Sequence, residues 1–122
     1  MIEQNILLTT DCVILYFGRF ETEILLVKRK SDPYKGTWAL PGGFVEDEEP
    51  LEEGAKRELR EETGLVVDEL HQLGAFGTPG RDPRGRTVTI AYWAKVPLKA
   101  EVKASDDAEE AAWFSVPPMI KK

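Results

Sequence analysis

The stretch from Gly43 to Leu65 constrains this chain most. It opens on a glycine, runs through an acidic segment to Glu49-Pro50, and closes on Arg57-Glu58-Leu59-Arg60-Glu61-Glu62-Thr63-Gly64-Leu65. Pro50 suits the first turn of a helix, where the missing N–H costs nothing. Gly64 suits the residue just past a helix end, where positive φ is wanted. The segment therefore predicts a helix from about Pro50 to Thr63. Leu51, Ala55 and Leu59 recur every fourth residue and share a face that should point into a core. Glu58, Glu61 and Glu62 stand at i, i+3 and i+4 and share a different face. Exposed like-charged pairs at this spacing cost roughly a few tenths of a kcal/mol each, so something should neutralise them. Carboxylate oxygens suit hard cations, Mg²⁺ or Mn²⁺, rather than zinc.

Position for position, Gly43, Glu49, Arg57, Glu58, Leu59, Glu61, Glu62, Gly64 and Leu65 resemble the Nudix box. Nine positions at set spacing make this a specific signature. The resemblance implies metal-dependent hydrolysis of a nucleoside diphosphate linked to another group. It implies metal ligation by Glu58 and Glu62, with Glu61 close behind, by Glu49 in the same network, and by the backbone carbonyl of Gly42. Arg57, by itself an ordinary surface arginine, is implied to orient the acids. Glu49 also suits the positive end of the helix dipole, and both roles are compatible. Glu52 and Glu53 read as a solvated acidic face. The general base is left open between the box acids Glu62 and Glu61 and an acid on a distant loop, for which Asp107 is the candidate among Asp106, Asp107, Glu109 and Glu110.

The chain has 122 residues, enough for one domain spanning 1–122. A domain of this size buries roughly two-thirds of its unfolded surface. The single cysteine, Cys12, lies in an apolar run and reads as a buried, inert thiol. No basic-then-apolar leader opens the chain and no apolar run approaches a membrane span, so a cytoplasmic protein without a membrane partner is expected. The formal net charge of −6 argues against nucleic acid as partner. It need not repel a phosphorylated small molecule. Much of the acid lies between Glu46 and Glu62, where a bound cation would invert the local field.

Leu7 to Phe17 reads as a strand and Ile24 to Arg29 as its returning partner. Trp38-Ala39-Leu40 reads as a short extended piece stopped by Pro41-Gly42-Gly43. After the helix, Leu65 to Phe76 reads as a strand bent near His71, Thr87 to Val96 as a long strand, Lys99 to Glu110 as a charged loop and Ala111 to Phe114 as a short strand. His71 reads as structural or surface. One strong helix among strands predicts a mixed α/β (α+β) architecture. The Nudix resemblance implies a mixed sheet sandwiched by helices, with a second helix after Trp113-Phe114. Met119 to Lys122 is too short for it, so the C-terminal helix is expected to be short or missing. An apolar sheet face left open this way would favour self-association, which keeps a homodimer in view.

The box says little about substrate. The segment Arg81-Asp82-Pro83-Arg84-Gly85, with Pro79 shortly before it, resembles a loop of small Nudix proteins related to ADP-ribose pyrophosphatases. Arginine holds phosphate or ribose oxygens through a planar fork, so Arg81 or Arg84 could hold the second phosphate. Asp82 either contacts substrate or pairs with an arginine to shape the loop. Tyr16, Phe76 and Tyr92 could stack on a base, though core packing suits most of them. Trp38 suits packing under the Gly-Gly turn. The leading expectation is cleavage of ADP-ribose to AMP and ribose 5-phosphate. The alternatives are a triphosphate-sanitising pyrophosphohydrolase and a non-catalytic nucleotide sensor. One cysteine excludes a zinc ribbon.

Overall fold

The structure, a computed structural model, describes residues 3–105 and 108–117. Its centre is a parallel pair, β1 (Leu7–Phe17) and β6 (Thr87–Val96), in register from Leu7 opposite Thr87 to Tyr16 opposite Val96. Both strands are rich in β-branched residues and alternate by face. Cys12, Ile14, Tyr92 and Ala94 are buried on one face. The helix α1 (Leu51–Thr63) lays Ala55 and Leu59 on that same face, both fully buried, and Leu51 packs at its margin. Burial of a leucine such as Leu59 contributes roughly 1.5–3 kcal/mol.

The far edge of β6 pairs with β5 (His71–Phe76) and β2 (Thr22–Arg29) continues the sheet from β1. Beyond β2 lie β3 (Trp38–Ala39) and β7 (Ala108–Val116), both antiparallel to it. A further short strand, β4 (Gly42–Phe44), also pairs with β1. The edge of β1 is therefore shared: Thr9 to Asp11 pair with β4, and Leu15 to Phe17 pair with β2. Between them the Cys12 N–H donates to the Pro41 carbonyl at 2.8 Å.

The expected order of elements holds, with differences that have physical causes. Pro50 is the N-cap residue, so the helix starts at Leu51. Gly64 ends it at φ 79°, its N–H donating to the Arg60 carbonyl at 2.8 Å. Gly42 and Gly43, expected only to stop an extended piece, begin β4 instead, because β1 offers them a free edge. Leu65 to Leu70 is not strand. Its apolar side chains Leu65, Val67 and Leu70 join the core without pairing, so hydrophobicity alone misleads there. The last strand begins at Ala108 rather than Ala111 and runs on to Val116, held by the full length of β2. The expectation of a short or missing C-terminal helix falls on residues outside the described ones. Among the described residues no helix is long and apolar enough to cross a membrane.

Two outcomes follow from this packing. Leu59→Ala should cost about 2–5 kcal/mol in urea unfolding, since α1 has one fully buried leucine and a cavity would open beside Cys12 and Ile14. The Cys12 thiol is pushed up to about 12, first by burial and then by the charges of Asp11, Glu62 and Glu58. It is therefore neutral throughout the physiological range, and iodoacetamide at pH 8 should label the native protein only at the rate of its opening, and the denatured protein at once.

Candidate functional site

The site begins where two glycines bring backbone against backbone. A Cβ on Gly42 would lie 1.9 Å from the Thr10 carbonyl oxygen, so only glycine lets β4 approach β1 this closely. The Gly42 N–H donates to Glu62 Oε1 at 2.8 Å and ties β4 to the last turn of α1. A Cβ on Gly43 would lie 2.5 Å from Glu58 Oε2, so the Glu58 carboxylate occupies the space that a side chain would take. Gly54, costly inside a helix by about 1 kcal/mol, has a similar reason: its missing Cβ leaves room for the Glu49 carboxylate at 2.8 Å.

Arg57 gathers the acids. Its Nε and Nη2 donate to the two oxygens of Glu49 at 2.6 and 3.0 Å, a bidentate fork. Its Nη1 donates to Glu58 at 2.7 Å and to Glu61 at 3.1 Å, and Nη2 also reaches the Phe44 carbonyl at 3.1 Å. The hydrogen bonds from Arg57 hold the Glu49 carboxyl below its usual range. Glu62 is buried at 6% exposure while the Glu61 side chain is 37% exposed. One guanidinium against four carboxylates leaves this end of the molecule negative.

A cleft of about 580 Å³ runs from Glu58 and Glu62 to the loop after β5. Its floor includes Thr9 and Asp11 of β1, its rim Tyr34 and Trp38, and its far wall Arg81, Asp82 and Arg84. Asp82 pairs with Arg84 through two side-chain bonds, at 3.1 and 2.8 Å, and also accepts from the Arg84 N–H at 2.9 Å. These bonds from Arg84 draw the Asp82 carboxyl down to about 2. Arg84 also lies over the Phe44 ring, 4.8 Å from its centroid. Arg81 lines the same cleft and makes no ion pair among the described residues.

The structure thus brings Gly42, Glu49, Arg57, Glu58, Glu61 and Glu62 together, and sets Arg81, Asp82 and Arg84 across the cleft. Asp107 lies outside the described residues. Nearby Ser105 is bonded through its hydroxyl to the Glu61 carbonyl and through its N–H to the Glu62 carbonyl at 3.4 Å. Tyr92 is buried in the core, Tyr16 packs against it, and Phe76 does not line the cleft. Trp38 packs edge-on against Phe114 at 4.8 Å and still lines the cleft. His71 contacts Trp93 at 4.9 Å, away from the cleft. Sequence reasoning missed Asp11, Arg29 and Tyr34. The signal for Asp11 was present, an acid in the middle of an otherwise uncharged strand.

The donor set suits a hard divalent cation: carboxylate oxygens on one helix face, beside a glycine turn that leaves them room. Among the described residues no three acids form a finished cage, because Arg57 and the Gly42 N–H hold the carboxylates as they stand.

The chain is similar to known proteins. It is 48% identical over 96 residues to an ADP-ribose pyrophosphatase of Methanocaldococcus jannaschii, covering 79% of this chain and 56% of that protein. It is 37% identical over 117 residues to an ADPR-responsive transcriptional repressor of Acinetobacter baylyi, covering 94% of this chain and 47% of that protein. The chain thus spans about half the length of these curated relatives. Its fold matches the Nudix domain of NrtR from Shewanella oneidensis, solved in complex with ADP ribose, at a TM-score of 0.86 and 32% identity, covering 93% of this chain and 75% of that one. The NUDIX domain family matches residues 8–120, and with the box assembled around Arg57 in three dimensions, this chain belongs to that family.

Proposed function

We propose that this chain is a metal-dependent pyrophosphohydrolase, one domain over 1–122, that cleaves the diphosphate of ADP-ribose to AMP and ribose 5-phosphate. The observation that carries the reading is the cleft itself: it joins the Nudix carboxylates at one end to Arg81, which makes no ion pair among the described residues, at the other. The names of the Methanocaldococcus jannaschii relative and of the ADP ribose complex support the substrate.

Glu58 and Glu62, with Glu61, Glu49 and the Gly42 carbonyl, would hold Mg²⁺ or Mn²⁺. When bound there, such an ion would offset phosphate charge and lower the pKa of water. Water adds to one phosphorus, the bridging P–O bond breaks, and the water proton passes to a carboxylate. Glu61 is favoured over Glu62 as the acceptor, because its side chain is the more open to solvent. Asp107 is the alternative base. Arg81 binds the phosphate distal to the carboxylates, while Asp82 and Arg84 set the loop. The expected partner is this small nucleotide, not nucleic acid or membrane, and the expected location is the cytoplasm.

The Acinetobacter baylyi relative supports a second reading, a sensor that binds ADP-ribose without turning it over. Product analysis with Mg²⁺ on ADP-ribose and on normal and oxidised triphosphates separates the readings. AMP from ADP-ribose, with kcat lowered at least about 10²-fold in Glu62→Gln, is expected. Pyrophosphate from triphosphates alone would move the chain to the sanitising class, and tight binding without turnover to the sensors. Arg57→Lys keeps the charge but loses the fork. It should weaken the apparent Mg²⁺ affinity by about 10- to 100-fold, read as a shift in the Mg²⁺ dependence of turnover.

A further inference from the structure

Asp11 is an acid in the cleft that the reaction leaves without a task. The other cleft acids are accounted for: Asp82 pairs with Arg84, Glu58 and Glu62 belong to the carboxylate face, and Glu46 lies 3.7 Å from Arg57 Nε. Asp11 makes no ion pair among the described residues. It accepts one side-chain hydrogen bond, from Thr89 Oγ1 to its Oδ2 at 2.7 Å. Burial pushes its carboxyl above the usual range, against smaller opposing effects of the Thr89 bond and the Arg81 charge.

Its place is set by the sheet. Asp11 stands on β1 directly opposite Gly42, the residue that holds Glu62. Paired residues in antiparallel strands are about 4.5–5.5 Å apart between Cα atoms. The Asp11 backbone therefore lies beside Gly42, and the residue lines the cleft. A desolvated charge here is costly. Holding Thr89 does not require it, since a neutral asparagine accepts the same bond. A diphosphate offers only acceptors, so an anion beside it repels. What a carboxylate can receive is donors, and its two oxygens have room for several. The donors on such a substrate are sugar hydroxyls and a base amine.

We propose that Asp11 is a specificity-determining residue whose carboxylate accepts hydrogen bonds from hydroxyl or amine donors on the uncharged part of the substrate. Arg81 lines the same cleft, so the cleft offers a cation on its far wall and an acceptor on its floor. This rests on the reading of the cleft as the nucleotide site.

The test compares wild type with Asp11→Asn, which keeps the size and the acceptor for Thr89, and with Thr89→Val, which keeps Asp11. Steady-state kinetics are run on ADP-ribose, on its hypoxanthine form lacking the amine, and on 2′-deoxy and 3′-deoxy forms of each ribose. Asp11→Asn should lower kcat/KM on ADP-ribose by about 10- to 100-fold, mainly through KM. The deficit should shrink to within about threefold on the one analogue that lacks the donor, which also identifies it. Thr89→Val should show a smaller loss with the same analogue dependence. An unchanged KM, or an equal loss on every analogue, overturns the proposal and leaves Asp11 a structural acceptor. If wild type does not cleave ADP-ribose, the proposed function fails separately. The same comparison is then made by calorimetric Kd for ADP-ribose and for ATP and its deoxy forms, where a donor-independent loss, or no binding of either nucleotide, again overturns the Asp11 role.

Discussion

The Arg57 guanidinium touches Glu49, Glu58, Glu61 and the Phe44 carbonyl at once, so three of the site's four carboxylates are held by one side chain. Carboxylates this close repel one another, and in the absence of a counter-charge each would swing toward water. Arg57 is pinned by a bidentate hold on Glu49 at the helix entrance, so it presents its remaining donors to Glu58 and Glu61 in a defined direction. A lysine would supply the charge but not the fork. Glu49 accordingly matters less as a helix-dipole partner than as the anchor of the arginine.

The second dependence is on backbone proximity. Two helix acids meet the sheet only because Gly42 and Gly43 carry no side chains: Gly42 lies against Thr10, and Gly43 yields its side-chain space to Glu58. β1 makes this possible by giving one stretch of its edge to β4 and another to β2. The cleft is floored by the stretch given to β4, so the sheet's branching and the cleft share one geometric origin.

Much of this was legible in the sequence where the signal is local. The four-residue spacing of Leu51, Ala55 and Leu59 marked the buried face of α1, and Thr87 to Val96 alternated clearly enough to mark both ends of β6. The gathering of Glu58, Glu61 and Glu62 was readable from helical spacing. The role of Arg57 was not: residue chemistry alone left it an ordinary surface arginine, and the family resemblance supplied its task. Non-local causes were also hidden. Gly42-Gly43-Phe44 has poor strand propensity and becomes a strand only because Thr10 is beside it. Leu65 to Leu70 looked like strand because its leucines and valine fill the core, which periodicity cannot separate from sheet pairing. The choice of Arg84 over Arg81 as the partner of Asp82 needed loop geometry that no spacing encodes.

The stacking of Arg84 on Phe44 has a consequence for how such a protein can change. Phe44 follows directly on the glycine that makes room for Glu58, and its carbonyl accepts from Arg57. The loop that would choose the substrate and the strand that aligns the acids therefore lean on a shared residue, one through its ring and the other through its carbonyl. They are not interchangeable modules. A loop transplanted from a relative with another preference would arrive without its footing unless it brought a flat cation to rest on that ring, and drift in specificity would be felt first as a loss of alignment at the carboxylates.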